Sequence, residues 1–326
     1  MGPHPAVAEI RLAVRTALAG LDDDRTTLLV ACSGGADSLA LAAAAAFEAP
    51  RAGRRAALVT IDHGLQPGSH TQAASVAALG YELGFDPVET LVVHVGRDGG
   101  PEAAARAARY RALDAAAEAH GADVLLGHTL DDQAETVLLG LGRGSGPRSI
   151  AGMAARSGRY VRPLLGVRRA TTEAACTALG LSWWDDPHNA DPAFQRVRLR
   201  REVLPLLDDV LQGGVAEALA RTADLIRADL EALDALINSP SAVDAAGWSA
   251  VDHQMSLAVD GLAGLPRAVR SRMLRDWAVA NGIASLTAVH TAALDALITA
   301  WHGQGPVDVP GGRQVRRASG RLEVTP

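Results

Sequence analysis

The run Ser33-Gly34-Gly35-Ala36-Asp37-Ser38 sets two glycines, two hydroxyls and a carboxylate side by side. That combination suits a phosphate. Paired glycines let the backbone approach an anion closely, and the N–H groups of a turn that opens a helix point at it. Ser33 and Ser38 can donate to phosphate oxygens, and Asp37 can hold a magnesium ion or its waters. The chain contains no lysine, which excludes the Gly-x4-Gly-Lys-Ser/Thr loop. The glycine-dense stretch Gly140-Leu141-Gly142-Arg143-Gly144 follows a helical pattern rather than a strand, which excludes a dinucleotide fingerprint. Ser-Gly-Gly alone is ordinary turn chemistry. Asp37-Ser38 after it and the apolar stretch 27–32 before it raise it to a candidate phosphate site.

A second run is His128-Thr129-Leu130-Asp131-Asp132-Gln133-Ala134-Glu135-Thr136. On a helix His128, Asp132 and Glu135 stand at i, i+4 and i+7, one above another on a single face. Two carboxylates and an imidazole could hold a cation there, a magnesium ion or a substrate ammonium. Capping explains part of the run: Thr129 is a good N-cap, and Asp131 and Asp132 suit the positive end of the helix dipole. It does not explain His128 and Glu135, and the functional expectation rests on them.

Asp62-His63-Gly64-Leu65 closes another apolar run, where Asp and His more often serve a turn than a reaction. Asp62 and His63 are therefore supporting candidates. Arg106 and Arg109 lie one turn apart on a helix opened by Pro101-Glu102. A solvated Glu102–Arg106 pair would be worth only ~0.3–0.5 kcal/mol. Tyr110 beside Arg109 sets an aromatic next to a planar cation, which suits phosphate or base contact. Three arginine sets remain: Arg196, Arg198, Arg200 and Arg201 with Arg156, Arg159, Arg162, Arg168 and Arg169; Arg267, Arg270, Arg272 and Arg275; and Arg313, Arg316, Arg317 and Arg321. Each alone reads as a solvated face. Together, in a chain of net charge -6, they mean segregated charge and make RNA an expected partner.

These residues need a scaffold that gathers strand ends. Apolar runs at 27–32, 56–61, 91–95 and 124–127 read as strands, and 38–48, 70–84 and 102–119 as helices. The alternation predicts an α/β fold, a parallel sheet covered by helices on both faces. Ligands in such sheets sit beyond the carboxyl ends of the strands, where 33–38, 62–64 and 127–128 all fall. Residues 1–20 read as a short amphipathic helix. After Pro205 a long helix is predicted over 215–237, then the loop 238–241, helices over 266–281 and 286–301, and a hairpin within 307–324 turning at Gly311-Gly312 or near Gly320. The expected division is a catalytic domain over 1–210 and a smaller, mostly helical recognition domain over 211–326.

A length of 326 residues allows about two domains, and a hydrophobic content of 48% supports a core-forming protein. The negative net charge excludes a generally basic nucleic-acid binder. Local clusters still matter, because phosphate contacts act within a Debye length of ~10 Å. Cys32 and Cys176 belong to no Cys-x-x-Cys motif, and Cys32 reads as a small core residue. The N-terminus lacks the pattern of a signal peptide, and no apolar span approaches the ~20 residues that cross a membrane. A soluble, cytoplasmic protein with no membrane partner is expected.

Taken together, 33–38, 62–65, Glu102 with 105–110, 127–136, Arg143-Gly144, Arg162-Pro163-Leu164-Leu165 and Asp186-Pro187-His188-Asn189 resemble the motifs of the PP-loop ATP pyrophosphatase superfamily, and within it the tRNA(Ile)-lysidine synthetase family. The first motif marks only the superfamily; the stretch 127–144 with the arginines before Pro205 is far more specific. The resemblance is strong over 27–207 and diffuse over 213–326. It implies an adenine nucleotide alpha hydrolase-like catalytic domain using ATP and Mg2+. It also implies the substrates: the wobble cytidine of tRNA(Ile) with a CAU anticodon, adenylated at C2, and L-lysine, whose amine then displaces AMP. Carried onto this chain, residues 33–38 would hold ATP with magnesium at Asp37, and Asp132 and Glu135 would grip the cationic lysine. Arg109 and Arg200 would stabilise phosphate charge or the activated base, with His128 and Arg196 in support.

The family pattern Phe-x-Arg-Asn-x-x-Arg has Val197 in its Asn place here, while Arg196 and Arg200 keep theirs. The chain further resembles a short form without the extra C-terminal domain of longer members, leaving acceptor-stem recognition to 213–326. A homodimer stands as a further expectation. The rivals are a PP-loop enzyme that thiolates a tRNA base, a small-molecule amidating synthetase, and a non-catalytic RNA-binding PP-loop protein. The first commonly uses Cys-x-x-Cys or an iron–sulfur cluster, the second has no need of three arginine sets, and Asp37, Asp132 and Glu135 argue against the third.

Overall fold

The computed structural model describes residues 2–22, 24–62, 64, 68–93, 96, 101–144, 146–185, 191–237, 256–283 and 286–325, residues 101–103 by their backbone alone. They form two compact units, Met1–Leu139 with Gly152–Thr222, and Gly140–Ala151 with Ala223–Pro326.

The first unit is built on β1 (Thr27–Ala31), β2 (Arg55–Asp62), β3 (Val88–Val92), β4 (Ala122–Leu126) and the short β5 (Arg156–Ser157) and β6 (Tyr160–Val161). The spatial order is β3-β2-β1-β4-β6-β5, parallel except for β5 against β6. A short apolar run without alternation suits a strand covered on both faces, and β1 is such a strand. Leu28 and Val30 join the core formed with α1 (Pro5–Ala19) and α2 (Ala36–Glu48). Leu29 joins the opposite core with Val59, Leu113 and Val124. Leu29 is fully buried, so Leu29→Ala would cost about 2–5 kcal/mol. Along α1 the buried residues Val7, Ile10, Val14 and Leu18 follow a helical stripe. α2, almost entirely Ala and Leu, packs against both α1 and the helix Arg169–Ala178. The remaining layers are α3 (Ser69–Glu82) and α4 (Pro101–Ala119).

The strand predicted at 91–95 begins earlier, at Val88. As an edge strand it is apolar only in part, with Glu89 and Thr90 inside it and Val92 exposed. From β1 the chain steps outward to β2 and β3, then crosses back to β4 on the other side of β1. The loops after β1 and β4 therefore diverge and open a crevice between them. Ala31 pairs with Leu126, so both strands end at one level and 32–35 leaves the sheet beside 127–129.

The second unit contains the later part of the helix Val215–Ile237, the helices Asp260–Ala263, Arg267–Ala280 and Ala288–Thr299, and an antiparallel sheet. Its strands β7 (Ser256–Ala258), β8 (Val307–Val309), β9 (Arg313–Ala318) and β10 (Arg321–Thr325) are ordered β7-β10-β9-β8. The predicted tail hairpin is thus two successive hairpins, turning at both glycine sites. The sequence missed β7, whose three residues are too few to show a period. Leu257, Met273, Trp277, Leu294, Leu297, Val315 and Leu322 fill this core. Among the described residues no helix is long and apolar enough to cross a membrane.

Candidate functional site

The Cys32 N–H still donates to the Val59 carbonyl at 2.9 Å, and the turn begins at Ser33. Ser38 closes it: Oγ accepts from the Ser33 N–H at 3.1 Å and donates to the Gly35 carbonyl at 2.9 Å. Ser38 is buried with its proton engaged inside the loop, whereas Ser33 is exposed. Gly34 is required twice over. Its φ is +87°, and an added Cβ would stand 2.2 Å from Gln72 Nε2 and 2.8 Å from Val76 Cγ2 on α3. α2 opens on Gly35 without a side-chain cap, so the first N–H groups from Ala36 onward, with their partial positive charge, suit an anion.

Beside this loop three carboxylates converge on Arg169. Its Nε donates to Asp37 Oδ2 at 3.0 Å, its Nη2 to Asp132 Oδ1 at 2.8 Å, and its Nη1 lies 4.0 Å from Glu135 Oε1. The Thr172 hydroxyl donates to Asp37 Oδ1. Glu135, fully buried, also accepts from Arg200 Nε at 2.7 Å and Arg196 Nη1 at 3.5 Å. Arg200 Nη2 lies 3.7 Å from Asp132. Burial pushes the Asp37 and Glu135 carboxyls above the ordinary range, although Arg169 opposes it at the first and Arg200 at the second. At Asp132 burial also pushes upward, but Arg169, the Thr129 N–H, His128 and Arg200 together win and hold it below. Burial would lower the Arg169 guanidinium; the surrounding carboxylates raise it instead.

Local sequence explains the placement. α5 (Leu130–Arg143) starts after Thr129, whose N–H and Oγ1 both donate to Asp132 Oδ2, at 2.8 and 3.0 Å. This is the side-chain half of a capping box, the Asp132 carboxylate returning to the N–H of the residue before the helix, so Asp132 both braces the start of α5 and faces Arg169. Asp131 Oδ2 accepts the Arg169 N–H at 2.8 Å, satisfying an orphan donor at the start of the helix Arg169–Ala178 and setting where Arg169 begins. Arg168 pairs with Asp131 at 3.0 Å and Glu217 at 2.7 Å. The helix Gln195–Arg198 continues into a π-helical turn, Leu199–Val203, and both Arg196 and Arg200 reach Glu135. Val197 is buried between them.

The other candidates lie apart from this trio. His128 precedes α5 rather than standing on it, which corrects the i, i+4, i+7 placement; the Thr129 cap ends the helix first. Its Nδ1 is buried with no partner among the described residues, and burial drives its pKa down to about 4, so it is neutral near pH 7. Arg109 lies on α4 with its guanidinium 5.6 Å from the Tyr110 ring centroid. Its Nε is buried and unpartnered among the described residues, and burial lowers its pKa. Asp62 serves the turn after β2, accepting from the Gly64 N–H at 3.0 Å and the Ser69 hydroxyl at 2.7 Å. Ser69 first, then Gly64, hold its pKa low. His63 and residues 186–189 lie outside the described residues, as do the loop 238–241 and the side chain of Glu102. Among the described residues no group of three or more His, Cys, Asp or Glu side chains could hold a metal unaided.

The arginine sets are more internally engaged than their sequence suggests. Arg198 pairs with Glu202 at 2.9 Å, Arg156 with Asp22 at 2.9 Å and Arg316 with Glu323 at 3.0 Å. Arg270 is held by Asp295 and Arg272 lies 3.4 Å from Asp234. Arg317 donates to the Leu297 carbonyl and lies over the Trp301 ring. Arg169, grouped by sequence with a polyanion groove, is the residue that reading misplaced. The available signal was electrostatic: Asp37, Asp132 and Glu135 at adjoining strand ends need a buried cation.

Comparison with known proteins accords with this geometry. A PP-loop domain family matches residues 9–207, and a TilS substrate binding domain matches 257–323. The chain is 56% identical over 327 residues to a tRNA(Ile)-lysidine synthase of Thermobifida fusca, covering 99% of each. It is 53% identical over 355 residues to that of Streptomyces coelicolor, again 99% of each, and 55% identical to that of Salinispora tropica over 98% of this chain and 96% of the relative. A solved U34-tRNA thiolase from Methanococcus maripaludis, with its [4Fe-4S] cluster, shares the fold: TM-score 0.55 at 17% identity, over 68% of this chain and 80% of that one. A phosphate loop and an acid–arginine cluster on one sheet crevice, in a chain matched end to end at this identity, place the protein in the tRNA(Ile)-lysidine synthase family.

Proposed function

We propose that the chain ligates L-lysine to C2 of the wobble cytidine of tRNA(Ile) bearing a CAU anticodon. In the first step the cytidine O2 bonds to the α-phosphorus of ATP, and the bond to pyrophosphate breaks. In the second the lysine amine bonds to C2 and sheds a proton, and AMP leaves with the oxygen. The observation that carries the reading is the link Asp37–Arg169–Asp132: the phosphate loop and the buried acids share one guanidinium at one crevice.

The loop 33–38 would seat the ATP phosphates on backbone N–H groups. Magnesium fits there, because it takes one or two carboxylates, keeps waters and shares phosphate oxygens. Asp37 offers such a carboxylate, and the ion would neutralise phosphate charge. Asp132 and Glu135 would receive the lysine ammonium, whose three donors compete with the guanidinium groups for the same oxygens. Arg200 and Arg109 would answer charge developing on phosphate or base. Residues 1–210 would carry the chemistry and 211–326 recognise the tRNA.

The test is ATP/pyrophosphate exchange together with radiolabelled lysine incorporation into tRNA(Ile) with a CAU anticodon. Good incorporation into other tRNAs and none into this one would sink the assignment. Asp132→Ala should abolish lysine transfer while tRNA binding persists; lost tRNA binding would contradict its role.

A further inference from the structure

In the second unit the helices Arg267–Ala280 and Ala288–Thr299 flank a half-open cavity of about 130 Å³ lined by Arg267, Ser271, Arg275, Thr291 and Asp295, among others. That is roughly ten times the space a single buried water needs. Arg267, Ser271 and Arg275 stand at i, i+4 and i+8, one stripe of a helix, opposite Thr291 and Asp295 one turn apart.

The charges of the lining do not cancel. Asp295 is answered from outside by Arg270, at 2.7 and 3.1 Å. Arg275 Nε donates to Thr291 Oγ1 at 3.3 Å, while the Thr291 proton goes to the Thr287 carbonyl at 2.9 Å and that of Ser271 to the Ala268 carbonyl at 3.2 Å. The hydroxyls are thus engaged with their own backbone, and Thr291 orients Arg275. Neither Arg267 nor Arg275 has a carboxylate within ion-pairing distance among the described residues. Two guanidinium groups therefore share the concavity with a single carboxylate, Asp295, whose charge Arg270 already answers, and the surplus positive charge suits a tetrahedral oxyanion. The neighbouring Arg270, Arg272, Arg313, Arg316, Arg317 and Arg321 are held by internal partners.

We propose that this cavity seats one backbone phosphate of the bound tRNA between Arg267 and Arg275. It rests on the proposed function only for the identity of the nucleic acid. Such a contact positions the RNA without reading its sequence.

The test measures binding of unmodified tRNA(Ile) transcript, without ATP or lysine, across a potassium chloride series. Wild type is compared with Arg267→Gln/Arg275→Gln and with Arg267→Lys/Arg275→Lys. Losing one phosphate contact should lower the log–log slope by about 0.9, which at about 0.1 M salt weakens binding about eightfold. The lysine variant, which keeps the charge, should keep the slope. An unchanged slope and affinity in the glutamine variant would overturn the proposal, as would an equal loss in both variants. Binding of inorganic phosphate, seen by phosphorus NMR, with an unaltered tRNA slope would overturn the RNA assignment. Because binding is read without turnover, failed lysine transfer beside an intact slope effect would sink the proposed activity and leave this subsite standing. Normal lysine transfer with no slope effect would do the reverse.

Discussion

Replacing Arg169 with methionine keeps an apolar stem and removes the cation that touches Asp37, Asp132 and Glu135. All four side chains are mostly shielded, with exposures of 20%, 20%, 16% and 0% in that order. Removing one partner of such a buried ionic group costs about 3–5 kcal/mol, because Asp37 loses its guanidinium partner and Asp132 and Glu135 keep only Arg200 and Arg196. For a unit of this size that lowers Tm by about 6–20 °C. The loss should depend on pH in a definite direction. Asp37 and Glu135 already have raised folded pKa values, so their contribution is present below the ordinary carboxylate range and is lost as pH rises through the folded values. Without Arg169 that window moves further upward. Asp132, now held low with Arg169 as the first opposing charge, joins it. The variant should therefore melt closest to wild type near pH 5 and furthest below it near pH 8, by differential scanning fluorimetry. A drop under about 2 °C, or one equal at both pH values, would show that the trio is neutralised without Arg169, by Arg200 and Arg196 alone.

Three further outcomes follow from the geometry. Gly34→Ala should lose ATP binding by calorimetry and more than about 1 kcal/mol of stability, since both φ and the Gln72 contact forbid a Cβ. Gly35→Ala, whose Cβ would meet nothing closer than Ser33 Oγ at 3.9 Å, should stay near wild-type stability. His128, with a pKa lowered to about 4, should show no NMR titration between about pH 5 and 8. Its neutral burial removes stability as pH falls from its ordinary value toward about 4, because the unfolded chain takes up the proton first. Cys32 and Cys176 are buried, with the Cys176 thiol pushed up to about 11 and that of Cys32 also raised. Native protein should not react with Ellman's reagent at about pH 8, and both thiols should appear in denaturant.

The parallel sheet and its phosphate loop could be read from sequence because both are local. A continuous apolar run announces β1, and Gly34-Gly35 before an Ala/Leu helix announces the turn. Helix faces were legible on the same ground, since Val7, Ile10, Val14 and Leu18 fall on one stripe whatever surrounds them. Contacts between distant segments were not legible. Arg169 meets Asp37 and Asp132 only because Asp131 captures its N–H, a bond across 38 positions that no periodicity encodes. Charge counting failed for the same reason: Arg156 and Arg270 look like RNA ligands until Asp22 and Asp295 are seen beside them. β7 was missed because it is too short to carry a pattern, whereas the helix-start role of Asp132 was legible and only its second role, the pairing with Arg169, was not.

The second unit claims Gly140–Ala151 from the middle of the chain, where Arg148 pairs with Asp234 at 2.9 Å and Arg227 donates to the Ala151 carbonyl. This sets an order of events on the ribosome. Gly140–Ala151 leaves the exit tunnel before Ala223 has been translated, and at about 5–20 residues per second it waits several seconds for its partners. The sheet and α2 can consolidate in that interval, whereas the segment between them and the later helices cannot. A fragment ending at residue 210 would make that wait permanent, leaving Arg148 and the Ala151 carbonyl without Asp234 and Arg227.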